Sequence, residues 1–132
     1  DEETIANYAA FGLNLGLAFQ VIDDILGIWG DETRTGKSAA TDITTKKKTL
    51  PVLYGLERSP GLRDLYLSAV PDQTFVDHVV AQLDDLGARR YASDVAAEYS
   101  SAALKHLEAT NPQGEAGAAL YQLAHMLLQR DF

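Results

Sequence analysis

Two adjacent aspartates, Asp23 and Asp24, stand in the middle of an otherwise apolar stretch, FQVIDDILGIWGD. Residues three and four positions apart are neighbours on a helix, so the small and polar residues of this stretch share one stripe. They are Gln20, Asp23, Asp24, Gly27 and Asp31. The large apolar residues between them predict an opposite face that packs into a core. A stripe of carboxylates over a solvent-filled space indicates a site for a divalent cation.

The loop that follows, GDETRTGKSAATDITTKKK, carries positive charge. It contains Lys37 and ends with Lys46, Lys47 and Lys48. It is long for a passive connection, which favours a functional element. Mg²⁺ takes one or two protein carboxylates and completes its shell with water and phosphate oxygens, and lysines supply point charges for phosphate. Together these residues predict a diphosphate between Mg²⁺ and the lysines, because its negative charge must be neutralised before its C–O bond can break.

Composition excludes several other classes of protein. The chain has 132 residues, of which 46% are hydrophobic, enough for a core in one globular unit. Its net charge of -8 argues against a nucleic-acid partner, and the lack of cysteine excludes disulfides and thiolate metal sites. The acidic start DEETI is unlike a signal peptide, and the polar residues within 11–29 argue against a transmembrane segment. We expect a cytoplasmic protein.

The elements that would position these residues are helices. Apolar spacing is helical almost throughout and shows no strand-like alternation, so the sequence predicts one all-α unit. The predicted helices span 3–29, 50–57, 62–70, 71–86, 88–110 and 114–129. Gly12 and Gly16, four positions apart in the first helix, are expected to permit the close approach of another helix.

Other polar and aromatic residues have plainer interpretations. A second pair, Asp84 and Asp85, lies at the end of a predicted helix. Unlike Asp23 and Asp24, this pair is not preceded by Phe-Gln and is not followed by a lysine-rich loop. It is therefore interpreted as solvated charge. Lys46 and Lys48 are interpreted as solvated as well. The histidines fit no ligand spacing, and the tyrosines, Tyr66 among them, are assigned to packing.

The segment GLAFQVIDDILGIWGDETRTGKSAATDITTKKKTLP resembles the second aspartate-rich region of the trans-isoprenyl diphosphate synthases, the polyprenyl synthetase family. The family pattern runs Phe-Gln, two residues, Asp-Asp-x-x-Asp, then Gly-Lys, a later Asp, a Lys and Thr-Leu-Pro. The matching residues are Phe19, Gln20, Asp23, Asp24, Lys37, Asp42, Lys47 and Thr49-Leu50-Pro51. The resemblance implies the C-terminal part of the isoprenoid synthase helical bundle, with residues 1–132 forming the C-terminal portion of a single polyprenyl synthetase domain.

Two departures from the family pattern stand out. Gly27 occupies the position of the third aspartate, and a glycine inside a helix costs roughly 1 kcal/mol relative to alanine. We therefore expect the small residue to be there for space or for a close approach. The second departure is that the family's first aspartate-rich motif and its isopentenyl diphosphate-binding residues have no counterpart in these residues.

The resemblance also implies an activity, the condensation of an allylic diphosphate with isopentenyl diphosphate to a longer trans-prenyl diphosphate of geranyl, farnesyl or geranylgeranyl type, with Mg²⁺. Asp23 and Asp24 would form the metal site, with Asp23 binding the ion and Asp24 acting through water or orienting a lysine. Lys37 and Lys47 would hold the allylic diphosphate, and Gln20 would lie near the reacting centre. Asp42 would support these groups without touching the metal.

Two alternatives stay open at this point. One is a diphosphate lyase related to class I terpene synthases, and the other is a non-catalytic partner subunit of a prenyl synthase. The Gly-Lys, the second Lys and the Thr-Leu-Pro favour the transferase. The 132-residue chain by itself is expected to be inactive. The resemblance further implies a homodimer, and we expect association with an N-terminal portion.

Overall fold

The computed structural model describes residues 1–30 and 40–128. The described residues form seven α-helices and no strands, which confirms the all-α prediction. The helices are α1 (Glu2–Trp29), α2 (Thr41–Thr44), α3 (Leu50–Arg58), α4 (Pro60–Ser68), α5 (Gln73–Asp85), α6 (Ala88–Ala109) and α7 (Gly114–Leu128). Six of them match predicted helices, whereas α2 is a single turn inside the segment predicted as a loop.

Local signals explain where several helices begin. Asp72 precedes α5, and its carboxylate accepts a hydrogen bond from the Phe75 N–H at 2.9 Å. The Ser59 hydroxyl accepts from the Leu62 N–H at 3.1 Å at the start of α4, where Pro60 supplies a fitting φ. Gly87, with φ of 75°, separates α5 from α6.

The chain divides into two compact units, and α1 contributes residues to both. The first unit combines Asp1–Ile22 with residues from Asp94 onward. Its core packs α1 against α6 and α7. The buried side chains of this core are Phe11, Leu15, Ala103, Leu107 and Ala124.

The second unit comprises Asp23–Ser93 and contains every described candidate residue except Gln20. Helices α3, α4 and α5 pack together in it around a second core. The largest fully buried side chains of this core include Ile43, Val52, Leu62, Tyr66, Val79 and Leu83. Gly55 lies so close to two of these leucines that a Cβ on it would come within 2.6 Å of Leu83 and 2.9 Å of Leu62.

Helix α1 has the length and apolarity of a membrane-spanning helix, with a mean hydropathy of 1.4 over its most apolar window. Half of that window is buried inside the molecule, as in the core helix of a globular protein, which satisfies the same criterion. Val21, Ile22, Ile25 and Ile28 are all buried, which confirms the predicted apolar face of α1.

Candidate functional site

The carboxylate of Asp24 is tied to the start of α3. Asp24 is only 7% exposed, and its Oδ2 accepts a hydrogen bond from the backbone N–H of Leu50 at 3.2 Å. The first N–H groups of a helix have no partner within the helix, and negative charge is favoured beside them. Thr49, at the N-cap position, makes no side-chain capping bond. A carboxylate from α1 therefore takes over the capping of α3.

Thr49 is itself buried, at 2% exposure. Its Oγ1 has no hydrogen-bond partner within the described part of the chain. The Thr-Leu-Pro segment of the motif thus forms the N-cap and first two residues of α3, and it contacts the aspartate helix through the backbone of its middle residue.

Asp23 is partly exposed, unlike its buried neighbour Asp24. Residues 1–30 and 40–128 contain no group of three His, Cys, Asp or Glu side chains able to surround a metal. Mg²⁺ needs only one or two protein carboxylates when substrate phosphates and water complete its shell. Asp23, a partly exposed carboxylate, has a donor type that suits that limited role.

Gly27 lies directly against the carboxylate of Asp42. A Cβ on Gly27 would lie 2.5 Å from Asp42 Cγ and 3.2 Å from Oδ1, and closer still to Oδ2. Real side chains do not tolerate such contacts, so any larger residue at position 27 requires the Asp42 side chain to move. The expectation that a small residue is needed here for space is confirmed. The residue that occupies the space, Asp42, is the later aspartate of the motif.

Lys46 and Lys47 have opposite environments. Lys46 adopts a left-handed backbone, with φ of 54°, at the turn after α2. Its Nζ donates to the carbonyl oxygen of Ala69 and lies 5.3 Å from the centre of the Phe75 ring. The interpretation of Lys46 as a solvated charge is therefore wrong, because its ammonium group is bound to the end of α4 and to an aromatic face.

The side chain of Lys47 is exposed, while both polar groups of its backbone are bonded. Its N–H donates to the Asp42 carbonyl at 2.9 Å, and its own carbonyl accepts from the Tyr66 hydroxyl at 2.6 Å. Tyr66 is 1% exposed. Burial, and secondly the charge of Asp42, raise the pKa of the Tyr66 hydroxyl well above its ordinary value, so Tyr66 stays protonated and able to donate.

Sequence reasoning missed Tyr66, which was assigned only to packing. Its hydroxyl bridges residues separated by 19 positions, and no local spacing signals such a bond. An indirect signal exists, since a tyrosine at a fully buried position needs a hydrogen-bond partner for its hydroxyl.

The remaining predicted residues divide by location. Gln20 is exposed and belongs to the first unit. Lys37 and Asp31 lie outside the described residues. Asp84, interpreted as solvated, is exposed but accepts a hydrogen bond from the Trp29 indole N–H at 2.9 Å. Gly12 and Gly16 have nothing within 4 Å of an added Cβ, so close helix approach at these two glycines is a wrong prediction for the described part of the chain.

Comparison with known proteins matches residues 1–83 to the model of the polyprenyl synthetase family. The geranylgeranyl diphosphate synthase of Mycobacterium tuberculosis (strain ATCC 25618 / H37Rv) is 35% identical and aligns with 99% of this chain and 38% of its own length. The (2E,6E)-farnesyl diphosphate synthase of the same strain is 33% identical, over 92% of this chain and 36% of its own length.

Among solved structures, a geranylgeranyl pyrophosphate synthase from Corynebacterium glutamicum, complexed with isoprenyl diphosphate and magnesium, superposes with a TM-score of 0.83 at 26% identity. The match covers 99% of this chain and 39% of that one. The chain thus spans less than two fifths of the length of the two curated relatives and has the all-α isoprenoid synthase fold. By the family match and by its identity to both relatives, this chain belongs to the polyprenyl synthetase family.

Proposed function

We propose that the complete protein carrying these residues is a trans-prenyltransferase that condenses an allylic diphosphate with isopentenyl diphosphate. The observation that carries the proposal is the hydrogen bond from the Leu50 N–H to the Asp24 carboxylate. This bond joins the aspartate end and the Thr-Leu-Pro end of the motif within one unit. The names of two relatives, a farnesyl and a geranylgeranyl diphosphate synthase, support the reaction class and leave the product length open.

In this proposal the C–O bond of the allylic diphosphate breaks and diphosphate leaves. The double bond of isopentenyl diphosphate attacks the allylic carbon, a C–C bond forms, and a proton is lost. Lys47, whose side chain is exposed and whose own backbone N–H and carbonyl are both bonded, supplies positive charge to the departing diphosphate, and Lys37 is proposed to do the same. Gln20 is proposed to lie near the reacting carbon.

Asp23 would share a Mg²⁺ ion with the diphosphate oxygens and water, a role that suits a partly exposed carboxylate. When bound, the ion would supply the charge neutralisation that makes diphosphate a good leaving group. Asp24 would act indirectly, because its carboxylate binds the Leu50 N–H and holds the start of α3 against α1. Asp42 would fill the space left by Gly27 and bond through its carbonyl to the backbone of Lys47.

A condensation assay on the complete gene product tests the proposal. The protein is incubated with isopentenyl diphosphate, a series of allylic diphosphates of increasing length and Mg²⁺, with chelator added in a parallel reaction. We expect a longer prenyl diphosphate that disappears with the chelator. Release of diphosphate without consumption of isopentenyl diphosphate would indicate a lyase instead. Absence of both reactions would favour a non-catalytic partner subunit.

The isolated 132-residue chain provides a second test. It spans less than two fifths of the two curated relatives, and the isopentenyl diphosphate-binding residues expected from the resemblance are not among its residues. We expect no condensation by this chain alone under conditions in which the complete protein is active. Measurable product from the isolated chain would contradict this.

A further inference from the structure

Tyr66 is the largest fully buried side chain in the described part of the molecule, and the proposed chemistry does not use it. It lies on α4, and its hydroxyl reaches the carbonyl oxygen of Lys47 at 2.6 Å. A short bond from a buried phenol to a backbone carbonyl is directional and is shielded from competing water. The bond therefore fixes the peptide group that leads out of Lys47.

Three further contacts hold the same turn. The Lys47 N–H donates to the Asp42 carbonyl, and the Lys46 ammonium group is bound to the Ala69 carbonyl. On the other side of Lys47, the Leu50 N–H is bound to Asp24. The backbone around Lys47 is thus fixed on both sides, while the Lys47 side chain stays exposed.

This arrangement matters because a lysine ammonium group moves on a flexible four-carbon stem, and its average position depends on the backbone that carries it. Small displacements of charged groups around a reacting substrate have large effects on binding and rate. Without the Tyr66 hydroxyl, the Lys47 carbonyl would lose its hydrogen-bond partner beside a buried side chain. The turn would then shift so that this carbonyl could bond to water. Lys46 and Asp24 would still hold its two ends.

We propose that Tyr66 is a positioning residue that orients Lys47 for the diphosphate of the allylic substrate. The inference rests on the proposed function for the identity of the ligand. It adds that α4, which carries none of the motif residues, helps to determine the affinity for diphosphate through one hydroxyl group.

The test is calorimetric titration of inorganic diphosphate, with Mg²⁺, into the complete protein and into its Tyr66→Phe variant. Phenylalanine keeps the ring in the core and removes only the hydroxyl. The matched control is Tyr54→Phe, the same chemical change on α3, where the ring stacks on Tyr91 and the described residues give the hydroxyl no hydrogen-bond partner. We expect about 3- to 10-fold weaker binding for Tyr66→Phe, the usual size of one lost hydrogen bond, and no change for Tyr54→Phe.

Two further readouts separate positioning from general damage to the fold. In the condensation assay, the KM for the allylic diphosphate should rise in Tyr66→Phe by a similar factor, while the KM for isopentenyl diphosphate changes less than about twofold. In a Lys47→Ala background, Tyr66→Phe should weaken diphosphate binding no further, because the oriented group is already absent.

Unchanged diphosphate binding in a folded Tyr66→Phe protein would overturn the inference, as would an equal loss in the Lys47→Ala background. A wild-type protein that binds no diphosphate would overturn it as well. A wild-type protein that binds diphosphate but forms no prenyl product would refute only the proposed function, and the binding series would still decide the role of Tyr66.

Discussion

Two pairs of adjacent aspartates lie in the second unit, Asp23-Asp24 on α1 and Asp84-Asp85 at the end of α5. In each pair one carboxylate accepts a hydrogen bond from a distant residue. Asp24 is buried and accepts from a backbone N–H at the start of another helix, whereas Asp84 is exposed and accepts from the indole of Trp29.

The difference lies in what surrounds each pair. Near the first pair, Gly27 leaves room for the carboxylate of Asp42, and the segment that follows presents Lys47 on a bonded turn. Near the second pair, Arg89 lies 5.8 Å from the Trp29 ring, an arrangement that packs one helix end on another. An aspartate pair alone therefore indicates little, and the two pairs are distinguished by the residues that pack and bond beside them.

The largest difference in activity between the two pairs is expected from the substitutions Asp23→Ala and Asp85→Ala in the complete protein. Asp23→Ala removes the carboxylate proposed to share Mg²⁺ with the substrate, and we expect kcat/KM for the allylic diphosphate to fall on the order of 100-fold or more, since loss of outer supporting groups alone costs metal sites about 10- to 100-fold. Asp85→Ala should leave it unchanged. Equal activities of the two variants would remove the functional distinction between the pairs.

The next effect concerns the space beside the first pair. In Gly27→Ala the added Cβ must displace the Asp42 carboxylate, and we expect about 1–3 kcal/mol of destabilisation in denaturant unfolding. Gly12→Ala, at an exposed position on the same helix, should instead stabilise by up to about 1 kcal/mol. Adding Asp42→Ala to Gly27→Ala should recover part of the loss, and strict additivity of the two changes would argue against the contact.

The two hydrogen-bonded aspartates can be compared directly by measuring the free energy of unfolding of Asp24→Ala and Asp84→Ala. Asp24→Ala leaves a helix N–H without its acceptor and should cost roughly 1–2 kcal/mol. Asp84→Ala removes an exposed bond and should cost about 0.5 kcal/mol. A larger loss for Asp84→Ala would contradict the assignment of the buried Asp24 as the stronger structural link.

The smallest effect is confined to alkaline pH. The raised pKa of Tyr66 means that the folded state keeps a proton which the unfolded state releases above its ordinary pKa of about 10, so stability falls as pH rises through that value. Near pH 10 the Tyr66 contribution amounts to roughly 0.5 kcal/mol. In Tyr66→Phe this part of the pH dependence should disappear, as measured by denaturant unfolding from about pH 8 upward. Identical pH slopes for both proteins would contradict the raised pKa.

Much of the fold follows from local signals. The α1 helix was predicted over 3–29 and spans Glu2–Trp29, and the start of α5 follows from Pro71 and Asp72. These boundaries depend on residues a few positions apart, which a sequence displays directly. The four-residue helix α2 was missed because it is too short for periodicity, and its one buried residue, Ile43, is recognisable only from the core it joins.

The sequence nominated the residues of the candidate site, but it did not indicate which residues they contact. Motif spacing identified Asp23, Asp24, Asp42 and Lys47, and the helix cost of Gly27 indicated a need for space. The contact of Gly27 with Asp42 and the hydrogen bond of Tyr66 to Lys47 depend on packing between residues 15 and 19 positions apart, which local spacing does not encode. The same reasoning erred at Lys46, where an apparent run of solvated charge contains one ammonium group bound to the end of a helix.

Trp29 is the only tryptophan in these 132 residues, and its indole N–H is hydrogen-bonded to Asp84. It closes the helix that carries Asp23 and Asp24, six and five positions after them. The chain thus contains a natural fluorophore one to two helical turns from the proposed metal site, and its indole N–H is hydrogen-bonded to the Asp84 carboxylate. Its emission gives an optical signal for the contact between α1 and α5 without any label.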